Sequence, residues 1–250
     1  MSIKTLVTAD DFGFSKSINR AMFEAYEQSR VSELSLMVDS YGTDEAVSYI
    51  RQNNIQNVGL HFSLYRLSKG GKILQGNDYD RILKEWTKEQ LEGAFDEEIE
   101  LFRKKVGFSP KHVIGHKQIA LHTKLVEHVA HYCTANNCYA RKEVIHKTLQ
   151  PAEIPRGLNI SRTVDRIFAY HWGTPEEMYS EYKKDVEEAK RDSHLYSIEF
   201  MFHPGYAGEF EKNLTSFIKQ RIDDIHFLLS PDFLKLMKEE ELQLVSSGEI

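Results

Sequence analysis

Two adjacent carboxylates, Asp10 and Asp11, and three histidines, His61, His116 and His203, have the side-chain types that hydrolytic metal chemistry requires. A hydrolytic ion needs few enough protein ligands to leave positions for water and substrate, and one aspartate with two histidines meets that need. Asp11, His61 and His116 therefore form a candidate ligand set. The neighbouring carboxylate has a different task open to it, as general base on a water the ion has already acidified. His203 precedes Pro204 and Gly205, which turn the chain at a strand end, and it could protonate a leaving amine.

Each of these residues has a simpler reading on its own. An Asp-Asp pair after an apolar run makes a solvated turn that caps a helix, a histidine among apolar residues is a hydrogen-bonded core residue, and His203-Pro-Gly is a tight turn. Their shared position outweighs those readings, because all five fall near the carboxyl ends of expected strands, the edge where parallel sheets and barrels assemble their sites. The region around His116 also holds His112, His122, His128 and His131, too many for one ion, and the last two have helical, outward spacing.

The elements that must position these residues alternate between β-rich runs and helical patterns, which implies an α/β fold with a mostly parallel sheet. The first strand is predicted over Lys4–Ala9, with Asp10 and Asp11 where strand meets loop, and a helix from about Ser17, whose hydroxyl can cap it. Further strands are predicted over Glu33–Val38, Asn57–Phe62, Lys111–Gly115, Asn137–Arg141 and Tyr196–Phe202. Helices are predicted through Ala46, Val47 and Ile50, and over Lys88–Val106, Thr123–Asn136, Leu214–Leu229 and Pro231–Glu240. Ser68–Asp80 has the glycine-rich, polar composition of a mobile loop bordering a cleft. With no fixed-period repeat and no Pro/Ser-rich linker, residues 1–250 read as one domain.

Composition narrows the function classes. A hydrophobic fraction of 41% and a charged fraction of 28% are those of a globular protein. The net charge of −6, with lysines and arginines scattered among acidic residues, argues against nucleic acid as a partner. The longest apolar runs are strand-sized, well short of the roughly 20 residues that cross a bilayer, and the N-terminal segment has no signal-length apolar core, so a cytoplasmic location is expected. Cys133 and Cys138 are read as ordinary buried or reduced thiols.

Three segments, Thr8-Ala-Asp-Asp-Phe-Gly13, Val58-Gly-Leu-His61 and Phe202-His-Pro-Gly-Tyr206, resemble the signature segments of the YdjC-like carbohydrate deacetylases, which include chitooligosaccharide deacetylases. The likeness runs nearly the whole length, through Ser32–Met37 and the Pro110-Lys-His-Val segment before His116. It implies a single-domain distorted (βα) barrel of polysaccharide-deacetylase type and a divalent ion on Asp11, His61 and His116. It further implies Asp10 as base, His203 in the active site, Arg141 of Tyr-Ala-Arg beside it, Arg141 and Tyr206 as substrate contacts, and acetylated amino sugars or short chitooligosaccharides as substrate. The family is associated with magnesium, whereas imidazole ligands suit zinc. One segment departs from the pattern: family members usually carry Asp-Ser-His-His-His-Val-His, and this chain has Ile114-Gly-His-Lys-Gln-Ile-Ala120, so only the first histidine stays in register.

Phe12, Phe14, Tyr65, Trp172 and Tyr206 are the aromatics that could stack on sugar rings, Tyr206 being part of the His-Pro-Gly-Tyr segment. Two rival readings stand beside the deacetylase: another metal-dependent hydrolase, such as a phosphoesterase, and a non-catalytic sugar-binding protein. The sequence allows a homodimer without requiring one.

Overall fold

A computed structural model describes residues 2–64, 76–142 and 160–250. Its strands are β1 (Ile3–Phe12), β2 (Glu33–Leu36), β3 (Val58–Phe62), β4 (His112–Gly115), β5 (Tyr139–Ala140), β6 (Arg166–Ala169), β7 (Ser197–Phe202) and β8 (Leu242–Leu244). The helices are α1 (Lys16–Glu27), α2 (Thr43–Gln52), α3 (Gly76–Glu85), α4 (Lys88–Val106), α5 (Val126–Asn136), α6 (Pro175–Ala189), α7 (Glu209–Lys212), α8 (Lys219–Leu229) and α9 (Pro231–Glu239). All strand pairs are parallel, in the order β5-β4-β3-β2-β1-β7-β6, with β8 pairing the start of β1. Past β5, Ala140 N–H donates to the Arg162 carbonyl at 3.1 Å, four residues before β6 begins, so the two ends of the sheet curl towards each other into a distorted barrel.

Successive side chains of a strand point to opposite faces, and the two faces differ sharply here. The outer face carries Val7, Ala9, Leu34, Leu36, Leu60, Phe200 and Phe202, which pack with the helices into the main core. The inner face is mixed. Leu6, Tyr139, Ile167 and Met201 form a small apolar cluster, and between them stand buried Glu33, Ser35, His112 and Glu199. Buried charges need partners, and these have them: His112 Nδ1 lies 2.9 Å from Glu33 Oε2, and its Nε2 lies 2.7 Å from Ser35 Oγ. The network sits where β2 and β4 begin, at the end of the barrel away from the carboxyl edge.

The helices follow local chemistry. Lys88–Val106 matches its predicted span because Thr87 and Gln90 form a reciprocal capping box and Gly107 closes the helix in a left-handed conformation. The cap of α1 is Ser15 rather than Ser17: Ser15 Oγ accepts the Ile18 N–H, while Ser17 turns to the Glu211 carboxylate. The first strand runs on to Phe12, so Asp10 and Asp11 lie within it and not in a loop. Of the loop expected over Ser68–Asp80, residues up to 75 lie outside the described set and Gly76–Asp80 are helical. The helix expected over Leu214–Leu229 is confined to Lys219–Leu229. The sequence patterns do not predict β6, β8, α3, α6 or α7.

Gly59 on β3 leaves room for the His112 ring, which a Cβ there would meet at 2.2 Å. Since that ring is fixed on both nitrogens, Gly59→Ala is expected to destabilise the fold by at least about 2 kcal/mol in denaturant titration. A change under about 0.5 kcal/mol would mean that the barrel floor repacks freely.

Candidate metal centre

Asp10 and Asp11 both face the inside of the barrel because the strand that carries them is irregular. Along β1, Ala9 pairs with Leu34 and Phe12 with Leu36, three steps against two, which is a β-bulge. Within it Asp11 has φ 69, a left-handed conformation rare for a non-glycine residue. A regular strand would send Asp10 inward and Asp11 outward into the apolar core. The bulge turns Asp11 inward and returns Phe12 to the core, where it is fully buried.

His61, inside β3, and His116, the residue after β4, converge on Asp11. Asp11 Oδ1 lies 2.9 Å from His61 Nε2 and 2.8 Å from His116 Nδ1, and the two ring nitrogens are 3.3 Å apart. All three donor atoms fall within 4.8 Å of one another. Protons satisfy this cluster poorly: His61 Nδ1 is buried with no hydrogen-bond partner among the described residues, so either tautomer leaves one ring position unsatisfied. Burial lowers the pKa of His116 despite the opposing pull of Asp11, a shift towards the neutral ring that ligation requires. Burial pushes Asp11 the other way, but His116 and Arg221 outweigh it and hold the carboxyl well below the usual carboxylate range. A carboxylate oxygen and two neutral imidazoles, with lone pairs facing one another, fit a divalent cation.

Asp10 is held from behind. Arg141 donates to both of its oxygens, at 2.7 and 3.1 Å, and to Glu199 at 2.6 Å, while Tyr139 hydrogen-bonds Glu199 from the other side. Burial disfavours the Asp10 carboxylate, yet Arg141 more than offsets this, and its pKa stays lowered.

His203 follows β7, and its ring stacks beside Tyr170 at 6.2 Å and meets the edge of Phe217 at 5.8 Å. Burial pushes its pKa down to about 4, more than Asp11 and Asp10 offset, so it is neutral at neutral pH. The backbone N–H of His203 donates to Asp224 Oδ2 at 2.7 Å, and that of Gly205 donates to the Arg221 carbonyl at 3.0 Å. A Cβ on Gly205 would sit 2.9 Å from Ile18 and 3.3 Å from the Arg221 stem, which explains glycine after Pro204. A cavity of about 190 Å³ opens over the cluster, lined by Asp11, His116, Tyr170, His203, Phe217 and Arg221 among others.

The structure thus brings together Asp10, Asp11, His61, His116 and His203. Two expected substrate contacts, Arg141 and Tyr206, are already engaged within the protein. Arg141 is buried and occupied by Asp10 and Glu199. Tyr206 donates to Glu24 at 2.5 Å and lines a separate groove with Tyr41 and Phe210. Tyr65 is outside the described residues; Phe12 is core, and Phe14 lines the cavity. The segment that departs from the family pattern makes one irregular turn, with Lys117 and Gln118 both left-handed and Ile119, Ala120 and Leu121 buried. His122 closes that turn by donating its backbone N–H to the Ile119 carbonyl at 3.0 Å, while its Nδ1 accepts the Lys124 N–H. The sequence reading does not single out Glu199, Arg221 or Asp224, although Glu199 is a charge in a largely apolar strand and Arg221 and Asp224 are buried on α8 beside Ile225 and Leu228, a costly placement unless a partner waits.

The sequence profile of the YdjC-like protein family matches residues 4–239, and the chain belongs to that family. It is 23% identical over 256 residues to a carbohydrate deacetylase of Clostridium beijerinckii, covering 99% of this chain and 100% of that one. It is 24% identical to a chitooligosaccharide deacetylase of Salmonella dublin, covering 90% of each. Among solved structures, a protein of Enterococcus faecalis V583 provisionally described as cleaving cellobiose phosphate superposes with a TM-score of 0.80 at 17% identity, covering 100% of this chain and 99% of that one. The Xyl-CE4 domain of a multidomain xylanase from a Trinervitermes trinervoides hindgut metagenome gives 0.51 at 10% identity, covering 100% and 89%.

Burial raises the Asp224 carboxyl to about 8 against the pull of the His203 N–H and Arg221. The folded chain then holds a proton that the unfolded chain releases near pH 4, so this contribution is full below that value and is lost as pH rises towards 8. Denaturant unfolding of Asp224→Asn at pH 5, 6.5 and 8 is expected to show a flatter pH dependence than the parent, by up to about 1.4 kcal/mol per pH unit. A steeper dependence in the variant would contradict this assignment.

Proposed function

We propose that the chain is a metal-dependent carbohydrate N-deacetylase that releases acetate from acetylated amino sugars or short chitooligosaccharides. The observation that carries this reading is the convergence of Asp11, His61 and His116 within 4.8 Å, beside an arginine-clamped Asp10, in a chain whose relatives are named carbohydrate deacetylases. Asp11 Oδ1, His61 Nε2 and His116 Nδ1 would hold the ion, and their mixed carboxylate and imidazole donors suit zinc, with magnesium the alternative. When bound, the ion supplies Lewis acidity towards the acetamide carbonyl and acidifies water.

The residues around it supply orientation and proton transfer. Arg141 fixes both oxygens of Asp10, leaving each with a lone pair for a proton, and Glu199 holds Arg141 in turn. Asp10 takes the proton from the attacking water as the new C–O bond forms. His203 starts neutral, so the proton it gives to the departing nitrogen must reach it during turnover, and Asp10 is the group that has just gained one. The C–N bond then breaks to acetate and a free amine. Tyr170 and Phe217 offer ring faces and edges at the cavity wall for the sugar. No helix among the described residues is long and apolar enough to cross a membrane; we place the enzyme in the cytoplasm, acting on a small soluble substrate.

An acetate-release assay on N-acetylglucosamine, chitobiose and longer oligomers is expected to show activity that chelation abolishes and zinc or magnesium restores. Asp10→Asn should lower kcat by about 10²–10⁴-fold. Activity that survives chelation would refute the metal's role, and phosphate release from sugar phosphates without acetate release would support a phosphoesterase instead.

A further inference from the structure

Arg221 is the largest fully buried side chain among the described residues, and its placement is unusual for a cation. Its Nη2 donates to Asp11 Oδ2 at 2.5 Å, while its Nε and Nη1 are buried without a hydrogen-bond partner among the described residues. The guanidinium also lies over the Phe14 ring at 5.1 Å. Asp11 is therefore the anion that offsets this burial. The two oxygens of Asp11 are divided, Oδ1 facing both imidazoles and Oδ2 facing the guanidinium.

We propose that Arg221 is the built-in counter-ion of the metal centre, a positioning residue that stabilises the metal-free site and thereby sets how weakly the site holds its ion. The inference rests on the metal-binding part of the function proposed above. In the metal-free protein, Asp11 and Asp10 are buried neighbours, and Arg141 is already shared between Asp10 and Glu199. Arg221 supplies the remaining positive charge. Once a divalent ion sits on Oδ1, Asp11 has a second cation, and Arg221 faces a net positive centre across the carboxylate. Its stabilisation is therefore larger in the metal-free state than in the loaded one. By linkage, whatever stabilises only the metal-free form weakens apparent binding by the same free energy. Orientation by a hydrogen-bonding partner ordinarily works the other way, since its loss costs metal affinity about 10–100-fold. The two roles thus predict opposite signs.

The test compares parent, Arg221→Met, Arg221→Lys and the double variant Asp11→Asn/Arg221→Met by thermal melting with chelator or with zinc, and by zinc titration calorimetry. In chelator, Arg221→Met should melt about 10 °C below the parent, because Asp11 is left buried without a cation. Zinc should close at least half of that gap, and zinc affinity should rise about tenfold or more. Arg221→Lys should stay near the parent, and the double variant should melt above Arg221→Met in chelator because no unpaired charge remains. Weaker zinc binding by Arg221→Met, an unchanged melting temperature in chelator, or no recovery in the double variant would overturn the counter-ion role. Failure of the parent itself to bind zinc or magnesium would instead overturn the metal centre, which separates the two claims.

Discussion

A β-strand cannot direct two consecutive side chains to the same face, and the site requires it to do so with Asp10 and Asp11. The bulge between Ala9 and Phe12 and the left-handed backbone of Asp11 resolve that conflict. Without them Asp11 would enter the apolar layer between sheet and helices, where an unpaired carboxylate is costly. The bulge also leaves β1 in register with β7 over Lys4–Ala9, so the irregularity stays at the carboxyl edge where the candidate site lies. Hydrogen bonds and ion pairs to Asp11 from three other elements hold the strained residue in place, as a sparsely populated backbone conformation requires.

Once the inner face of the sheet is committed to charge, every charged group on it needs a partner, and the strands supply partners in layers. At the far end Glu33, Ser35 and His112 form one set, in which Glu33 also accepts the Ser247 N–H. In the middle Glu199, Tyr139 and Arg141 form another. At the carboxyl edge Asp10, Asp11, His61, His116 and His203 meet, with α8 adding Arg221 to Asp11 and Asp224 to the His203 backbone. Tyr139 and Arg141 leave β5 to reach Glu199 on β7. The same network that holds Asp10 also ties β5, at one end of the curled sheet, to β7, the strand next to the other end.

Much of this was legible in the sequence, and the rest was hidden for physical reasons. Apolar runs ending in histidine placed His61, His116 and His203 correctly, because strand propensity and the carboxyl-edge rule act locally. The bulge was not legible, since no glycine marks it and Asp-Asp reads equally well as a turn. Strand β6 was missed because Arg166–Ala169 is short and only one of its residues is fully buried. Arg141 reads from the sequence as a residue beside the site, but its clamp on Asp10 does not, because its carboxylate partners lie 131 and 58 residues away in sequence. Glu199 left a clue in Ser197-Ile-Glu-Phe-Met-Phe202, where a charge interrupts an apolar strand and must be paired if the strand is buried.

The central claim is that one ion is held by three residues drawn from β1, β3 and the end of β4. Metal analysis of protein dialysed against trace zinc, for the parent and for Asp11→Asn, His61→Ala and His116→Ala, tests it most directly. The account predicts one ion per parent chain and its loss in each variant, with all four proteins folded by circular dichroism. Stoichiometry that survives removal of any of the three side chains would contradict it.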